Sequence, residues 1–485
     1  MQQKKSINFG FRGWMLIIFQ AIAFLAFTAF TNYPMNLLAG SGFYGGWDMA
    51  QSNPETGTIV GTALVSNVYT VAAIIVIFIQ LILSRFMSKI KNMKAISMCL
   101  GAVSLGLAAF ITFYPPTMTP EANWLWLILY ALEYISVTMY ATFTIGVLIG
   151  QWFPRRKGTV MGIATLAFPI ANFLIGIIAP NVFAMDFAGE QPMPLLVEFA
   201  MSGGHAGANT WMTTMIPFLI VSIVGWLIGL IFVKDYPEQC GCYRDNDKSI
   251  TPEVAKAMME QEIIARETTV WKTGHTMACR DFWFITVPAG VLLMFAVGAM
   301  TQTSPIFNMV GLGDSYSQIM MGIAIAGMVG SFVLGVIDTK IGTKKSMIIA
   351  MFMMLLSGIL GFIGATSNNG TLVVVAFIIL GLFMGASSNY TVSAAAQYWR
   401  REDFSSVFAV DNAIANLIQA FGPMLIANLL FGTAGVKGVF IACGIGGIIS
   451  IILMFLFSPQ HVKETDDKYR KAAGKPLDDE LAHRL

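Results

Sequence analysis

Two carboxyls sit where a carboxyl is hardest to keep. Glu133 lies nine residues into an apolar stretch that begins near Trp124. That is about 14 Å along a helix, close to the middle of a hydrocarbon layer about 30 Å thick. Ser136, Tyr140 and Thr144 recur on the same helical face, giving one polar stripe. A carboxyl stripped of water favours its neutral form and can exchange protons, so Glu133 is a candidate proton-coupling residue. Its plainer role would be to join helices by bonding to a facing tyrosine or carbonyl. Asp411 lies about 10 Å along another apolar stretch from Phe404, beside Asn412 and near Asn416 and Gln419. It reads either as a gate or second proton site, or as an inner-side lock paired with Arg400-Arg401 or Arg155-Arg156. Gln20, Thr28, Asn32, Asn172, Gln302, Asn389 and Tyr390 are the other polar candidates, together with Tyr140, Asn412 and Asn416. Facing inward, such amides and hydroxyls can bind a solute, although helix–helix hydrogen bonding is the commoner use of any one of them. No Lys, Arg or His falls inside an apolar stretch, and all four His (His205, His275, His461 and His483) are in loops.

These residues need helices to hold them, and composition says where the helices lie. Hydrophobic residues make up 56% of the chain and charged residues 12%, against about 25% charged in soluble domains. A polytopic, all-α membrane protein follows. Twelve spans are predicted, at about 13–38, 58–84, 95–114, 123–149, 158–183, 211–233, 282–308, 316–338, 346–365, 371–396, 405–431 and 435–457. The domains are an N-terminal six-helix bundle at 1–233, a cytoplasmic linker with a short helix at 234–281, a C-terminal bundle at 282–457 and a cytoplasmic tail at 458–485, charged and mobile from Lys463 to Leu485. All but one of the 29 Lys and Arg fall on one side, the exception being Lys437. The positive-inside rule then makes both termini cytoplasmic, in a cell (inner) membrane. The net charge of +2 gives no basic surface for nucleic acid. The spacing of Cys240, Cys242, His275 and Cys279 fits no standard zinc site, so no metal or cofactor is expected. The spans hold no His pair, Ser–His arrangement or phosphate loop to support an enzyme.

The chain also repeats itself. Gln151-Trp152-Phe153-Pro154-Arg155-Arg156 precedes an apolar run containing Ile170-Ala171-Asn172, and Gln397-Tyr398-Trp399-Arg400-Arg401 precedes one containing Ile414-Ala415-Asn416. The turns Ser88–Lys94 and Thr339–Lys345 match with Lys-Ile and the closing Lys in register. Spans one and seven both end near a proline, Pro34 and Pro305. A proline frees a carbonyl inside a span, and such breaks in matched helices point to a substrate route.

Six spans, a linker and six more, with these turns, resemble the major facilitator superfamily over nearly the whole chain. The resemblance implies two six-helix bundles alternating access to a midplane site. It also implies a conformational lock after spans two and eight. Gly335, Lys340, Gly342 and Lys344 fit the second copy, with Asp338 one place early, whereas the first copy is degraded. Arg155, Arg156, Arg400 and Arg401 are the other lock candidates. Trp152–Gly158 and Asp235–Gly241 are similar to the oxalate/formate antiporter-like and monocarboxylate transporters. That resemblance implies a small organic anion, coupled to protons or exchanged. The buried basic residues that such dicarboxylate carriers place on spans eight and eleven are missing here, which argues against oxalate. The alternative is proton-coupled movement of a neutral, cationic or amphipathic solute. The expected partners are a small-molecule substrate, protons and the lipid bilayer, with the chain acting as a monomer.

Overall fold

The computed structural model describes residues 8–34, 60–84, 92–114, 120–153, 157–178, 208–247 and 269–475, with 249, 251–253, 256, 257, 260 and 477. Among them, ten helices are long and apolar enough to cross a membrane, and two shorter apolar helices make up the twelve. The first lobe holds α1 (Phe11–Phe27, continued by Thr28–Asn32), α2 (Val60–Ser84), α3 (Met93–Phe113) and α4 (Pro120–Thr138, Met139–Thr144 and Ile145–Trp152). It is completed by α5 (Lys157–Thr165 and Ala167–Ile178) and α6 (Ala208–Phe232). The second lobe holds α7 (Arg280–Met300 and Thr303–Met309), α8 (Tyr316–Ile341) and α9 (Thr343–Thr366). Then come α10 (Gly370–Ser387 and Tyr390–Tyr398), α11 (Arg401–Phe431), α12 (Gly435–Leu456) and a last helix α13 (Pro459–Ala472). The lobes meet where α2 packs on α11 and α5 packs on α8. These two crossings are equivalent under the duplication.

Four matched helices, the first and fourth of each lobe, lose their regular turn part-way along. In α1 and α4 the distortion is a π-helical segment, Thr28–Asn32 and Met139–Thr144. In α7 and α10 it is a two-residue break at Thr301–Gln302 and Ser388–Asn389. Sequence pointed to α1 and α7 through Pro34 and Pro305, and both distortions fall just ahead of those prolines. Pro305 is the third residue of a new helical piece, where its missing N–H has no in-helix partner to lose. Widened π turns give carbonyls poorer partners within the helix, and side chains supply better ones. Gln20 Nε2 donates to Ala141 O at 2.6 Å and Tyr130 Oη to Thr31 O at 2.8 Å. Each π segment is thus capped from the other's helix.

On the face carrying the linker, the duplication is legible atom by atom. Lys94, second in α3, donates Nζ to Leu230 O at 2.8 Å, and Lys344, second in α9, donates Nζ to Phe457 O at 2.6 Å. Both ammonium groups sit on the last carbonyls of the lobe's closing helix, where the helix dipole is negative. The structural register therefore pairs Lys94 with Lys344, one residue from the pairing with Lys345 that the sequence suggested. Asp235 Oδ1 accepts the N–H of Lys94 at 2.9 Å, and burial pushes this carboxyl above its ordinary value, opposed by that hydrogen bond. A raised carboxyl favours the native state when protonated, so stability falls as pH rises through the range just above the usual carboxylate value. Asp235→Asn is expected to flatten that slope in thermal unfolding of purified protein. An unchanged slope would assign the pH dependence elsewhere.

The tail corrects its expectation. From Pro459 to Ala472 it is a helix docked on the second lobe, with Val462, Asp466 and Arg470 buried. Arg470 reaches Asp403 at 2.6 Å and Asp466 at 3.0 Å, while Arg400 reaches Asp466 at 2.7 Å. Trp271 Nε1 donates to Asp466 at 2.8 Å, and Thr269 Oγ1 to Asp403 at 2.6 Å. Segments that are charged in sequence are thus ordered by pairing. The predicted linker helix is described only at positions 252, 253, 256, 257 and 260, all helical.

Candidate functional site

A cavity of about 150 Å³ lies between the lobes. Its lining runs from Asn32 and Tyr316 at one end to Phe404 near the linker face. Every distorted helix contributes at its distortion or beside it: Thr28 and Asn32, Thr142, Thr301, and Ser387 with Ser388. Interrupted helices are where a packed bundle can present backbone and polar groups to a solute without exposing them to lipid.

Among the described residues, the lining holds no Asp, Glu, Lys, Arg or His. Its polar atoms are hydroxyls, phenols and carboxamides. Most of the hydroxyls are already committed: Thr138 donates to Tyr134 O at 2.5 Å, Thr142 to Thr138 O at 2.7 Å, Thr165 to Met161 O at 2.9 Å and Thr28 to Phe24 O at 3.2 Å. Their hydrogens are used, so they offer lone pairs. The N–H donors come mainly from Asn32, Asn412, Asn416 and Gln419, the last three forming one face of α11. Ser388 Oγ is buried in the lining without a partner. The apolar walls include Phe24 against Phe168 (ring centroids 4.7 Å apart) and Phe404 stacked on Phe408 (5.5 Å). Met161, Met300, Met320 and Met384 fill between them.

Several expected site residues lie elsewhere. Glu133 is fully buried outside the lining, facing α3; Ser104 Oγ donates to Oε1 at 2.8 Å and Ser136 Oγ to Oε2 at 3.2 Å. Asp411 is also buried outside the lining and accepts from Thr286 Oγ1 of α7 at 2.6 Å. The lock suggested for Asp411 with Arg400 does not form, because Arg400 is taken by Asp466. Gln20 is used by Ala141, and Tyr140 packs edge-on against Phe19. Tyr390 Oη meets Ser346 Oγ at 3.0 Å, and Asn389 Oδ1 lies 3.4 Å from Thr165 Oγ1 across the lobes. Gln302 is buried at the α7 break. Thr28, Asn32, Asn412 and Asn416 do line the cavity. Asn172 belongs to α5 and Arg401 begins α11, but their side chains, like Arg155 and Arg156 entirely, lie outside the described residues.

Of the lock motif, Gly342 takes the turn between α8 and α9 at φ +88°, a backbone region that favours glycine. Gln397 and Tyr398 close that turn by accepting the N–H groups of Thr343 (2.8 Å) and Lys344 (3.0 Å). Asp338 is half-buried, Lys340 exposed, and Gly335 has no neighbour where a side chain would begin. Burial pushes the Cys242 thiol up to about 11, and Cys240 beside it adds to the rise. Sequence reasoning missed Tyr134, Thr138, Thr142, Thr301, Tyr316, Ser387, Ser388 and Thr391. The period-four ladder of Tyr134, Thr138 and Thr142 was the signal available.

Twelve spans around a cavity at the meeting of two lobes define a polytopic membrane transporter. A family model of the Major Facilitator Superfamily matches residues 142–386 and 315–481. The chain belongs to that superfamily: it is a multi-pass transporter of small molecules by alternating access, and not an enzyme. A search of curated proteins found no match. Among solved structures, it is similar to the proton:xylose symporter XylE bound to 6-bromo-6-deoxy-D-glucose (TM-score 0.63, 12% identity, 92% of this chain and 96% of that one). The human organic anion transporter MFSD10 gives 0.59 at 12% identity, over 91% and 98%. XylE from E. coli in a partially occluded inward open conformation gives 0.59 at 13%, over 90% and 97%. At such identity these likenesses show the fold alone.

Proposed function

We propose that this transporter carries a small solute in uncharged form, bound by carboxamides and hydroxyls against aromatic and methionine walls. The observation that carries the proposal is the lack of any charged side chain in the described lining. An ion there would lose its water without a countercharge, at a cost of several kcal/mol. A monocarboxylate, the class suggested by the sequence resemblance, would cross as its protonated acid, bringing its own proton. Symport of carboxylate and proton, or exchange of one acid for another, both follow from that chemistry. In this reading the protein acts as a monomer in the cell membrane, and its basic face supports cytoplasmic termini.

A second reading keeps Glu133 and Asp411 as proton sites, and their complete burial within the lobes favours it. They are then off the solute path and act through the α3–α4 and α7–α11 contacts.

The test is uptake of labelled short-chain monocarboxylates and neutral polyols into proteoliposomes. Uptake is expected to ignore an imposed potassium diffusion potential. Asn412→Asp is expected to lower it about tenfold at neutral pH, equivalent to about 1.4 kcal/mol in the barrier. Potential-driven uptake of a permanent ion would overturn the proposal. Loss of the pH response in Glu133→Gln, with uptake otherwise intact, would establish the second reading.

A further inference from the structure

We infer that Tyr69 is a positioning residue that couples the state of the cavity to contact between the lobes. Tyr69 is on α2, is fully buried, and does not line the cavity. Its hydroxyl donates to Asn32 Oδ1 of α1 at 3.3 Å, and its ring lies on Tyr134 of α4 with centroids 4.4 Å apart. The same hydroxyl faces the side chain of Gln419 on α11, in the other lobe. Asn32, Tyr134 and Gln419 all line the cavity. One phenol behind the wall thus holds cavity side chains from three helices and two lobes.

Its chain neighbour fixes the crossing. Thr70 Oγ1 donates to the backbone carbonyl of Ala420 at 2.8 Å, so Tyr69-Thr70 meets Gln419-Ala420 residue for residue where α2 crosses α11. A solute that draws the carboxamide of Gln419 toward itself takes a polar contact from the crossing directly, and one that draws Asn32 removes the bond that holds the phenol toward Gln419. Either way the crossing loses hold on the cavity side while the backbone bond of Thr70 remains. Occupancy is thereby converted into a weaker hold between lobes at this crossing, without any charged group moving. This rests on the cavity being the solute site.

The test uses the full chain in nanodiscs without added solute, on a background lacking native cysteines. Spin labels go at Asn67 and Asn428, exposed positions on α2 and α11. Tyr69→Phe keeps the ring and removes the hydroxyl. It is expected to raise the ratio of long to short inter-label distances about threefold to tenfold, the range of one lost hydrogen bond. Asn32→Ala, which removes the cavity-side acceptor, is expected to shift the ratio the same way. The double variant should shift it no further than either single one, because both remove the same bond. Should Tyr69→Phe fail to fold, Gln419→Leu, which removes the partner in the other lobe, is expected to shift the ratio in the same direction, and unmoved distances in it overturn the coupling. A folded variant whose distances match wild type, or a double variant whose shifts add, overturns the coupling. A purely structural Tyr69 would lower thermal stability and leave the distances unmoved. Because no solute is present, either failure leaves the transport proposal to its own uptake assay.

Discussion

Gly330→Ala is expected to leave little folded protein, whereas Gly335→Ala, five residues along the same helix, is expected to behave as wild type. A Cβ at Gly330 would lie 1.9 Å from the carbonyl oxygen of Leu382 and 2.5 Å from its carbon. The crossing of α8 and α10 is tight throughout: a Cβ at Gly385 would meet Gly327 O at 2.4 Å, and Ser331 Oγ donates to Gly385 O at 3.1 Å. In lipid, helices gain little from hiding apolar surface from each other, so close backbone approach through small residues does much of the holding. Overpacking a core costs about 1–3 kcal/mol when side chains can turn away; here the obstacle is backbone, which cannot. At Gly335 a Cβ would meet no atom of the described residues within 4 Å, and alanine is the better helix former by about 1 kcal/mol. Yield of monodisperse protein and its unfolding temperature check both variants. A stable Gly330→Ala would refute the close crossing. If Gly335→Ala is stable but transports poorly, then Gly335 must meet a neighbour in another conformation, as the lock signature implies.

The two glycines show how far the sequence could be read. Spans, their number and the duplication were legible because hydrocarbon demands runs of about twenty apolar residues, and repeated turns survive as repeated residue types. Which buried face of a span meets the cavity was not legible. On α4, Glu133, Ser136 and Tyr140 share one face, and Tyr134, Thr138 and Thr142 the next. Both are buried, since a polar residue avoids lipid equally well against α3 or against the cavity. Polarity in a membrane helix therefore marks burial and leaves the neighbour open. The π segment from Met139 to Thr144 then changes the angular step, so a stripe extrapolated at 3.6 residues per turn misplaces residues beyond it. On α10, the break at Ser388–Asn389 has the same effect: Ser387, Ser388 and Thr391 reach the cavity while Asn389 and Tyr390 turn to α5 and α9. On α11, uninterrupted from Arg401 to Phe431, regular spacing held ahead of Pro423, and Asn412 and Asn416 line the cavity as a plain helical wheel suggests.

The tail could not be read from composition at all, and it yields the other large effect. Arg470→Met is expected to release α13 from the second lobe. Arg470 is buried between Asp403 and Asp466, and removing one partner of a buried ion pair costs about 3–5 kcal/mol because the remaining charge stays desolvated. Both carboxylates keep partners of their own: Asp466 keeps Arg400 and the indole N–H of Trp271, and the fully buried Asp403 keeps the hydroxyl of Thr269. The balancing charge of Arg470 is still lost from a buried site. The cheapest relief is local: α13 lifts away and water reaches the site, while the spans stay folded. Hydrogen exchange should then show residues 459–472 losing protection in Arg470→Met with α9 and α12 unchanged. Asp403→Asn added to Arg470→Met removes one of the two charges that Arg470 balances and is expected to restore part of that protection. Protection that persists in the single variant would mean that the aromatic contact of Tyr469 with His275, and the bonds of Ser458 and His461 to Asp281, hold the helix unaided.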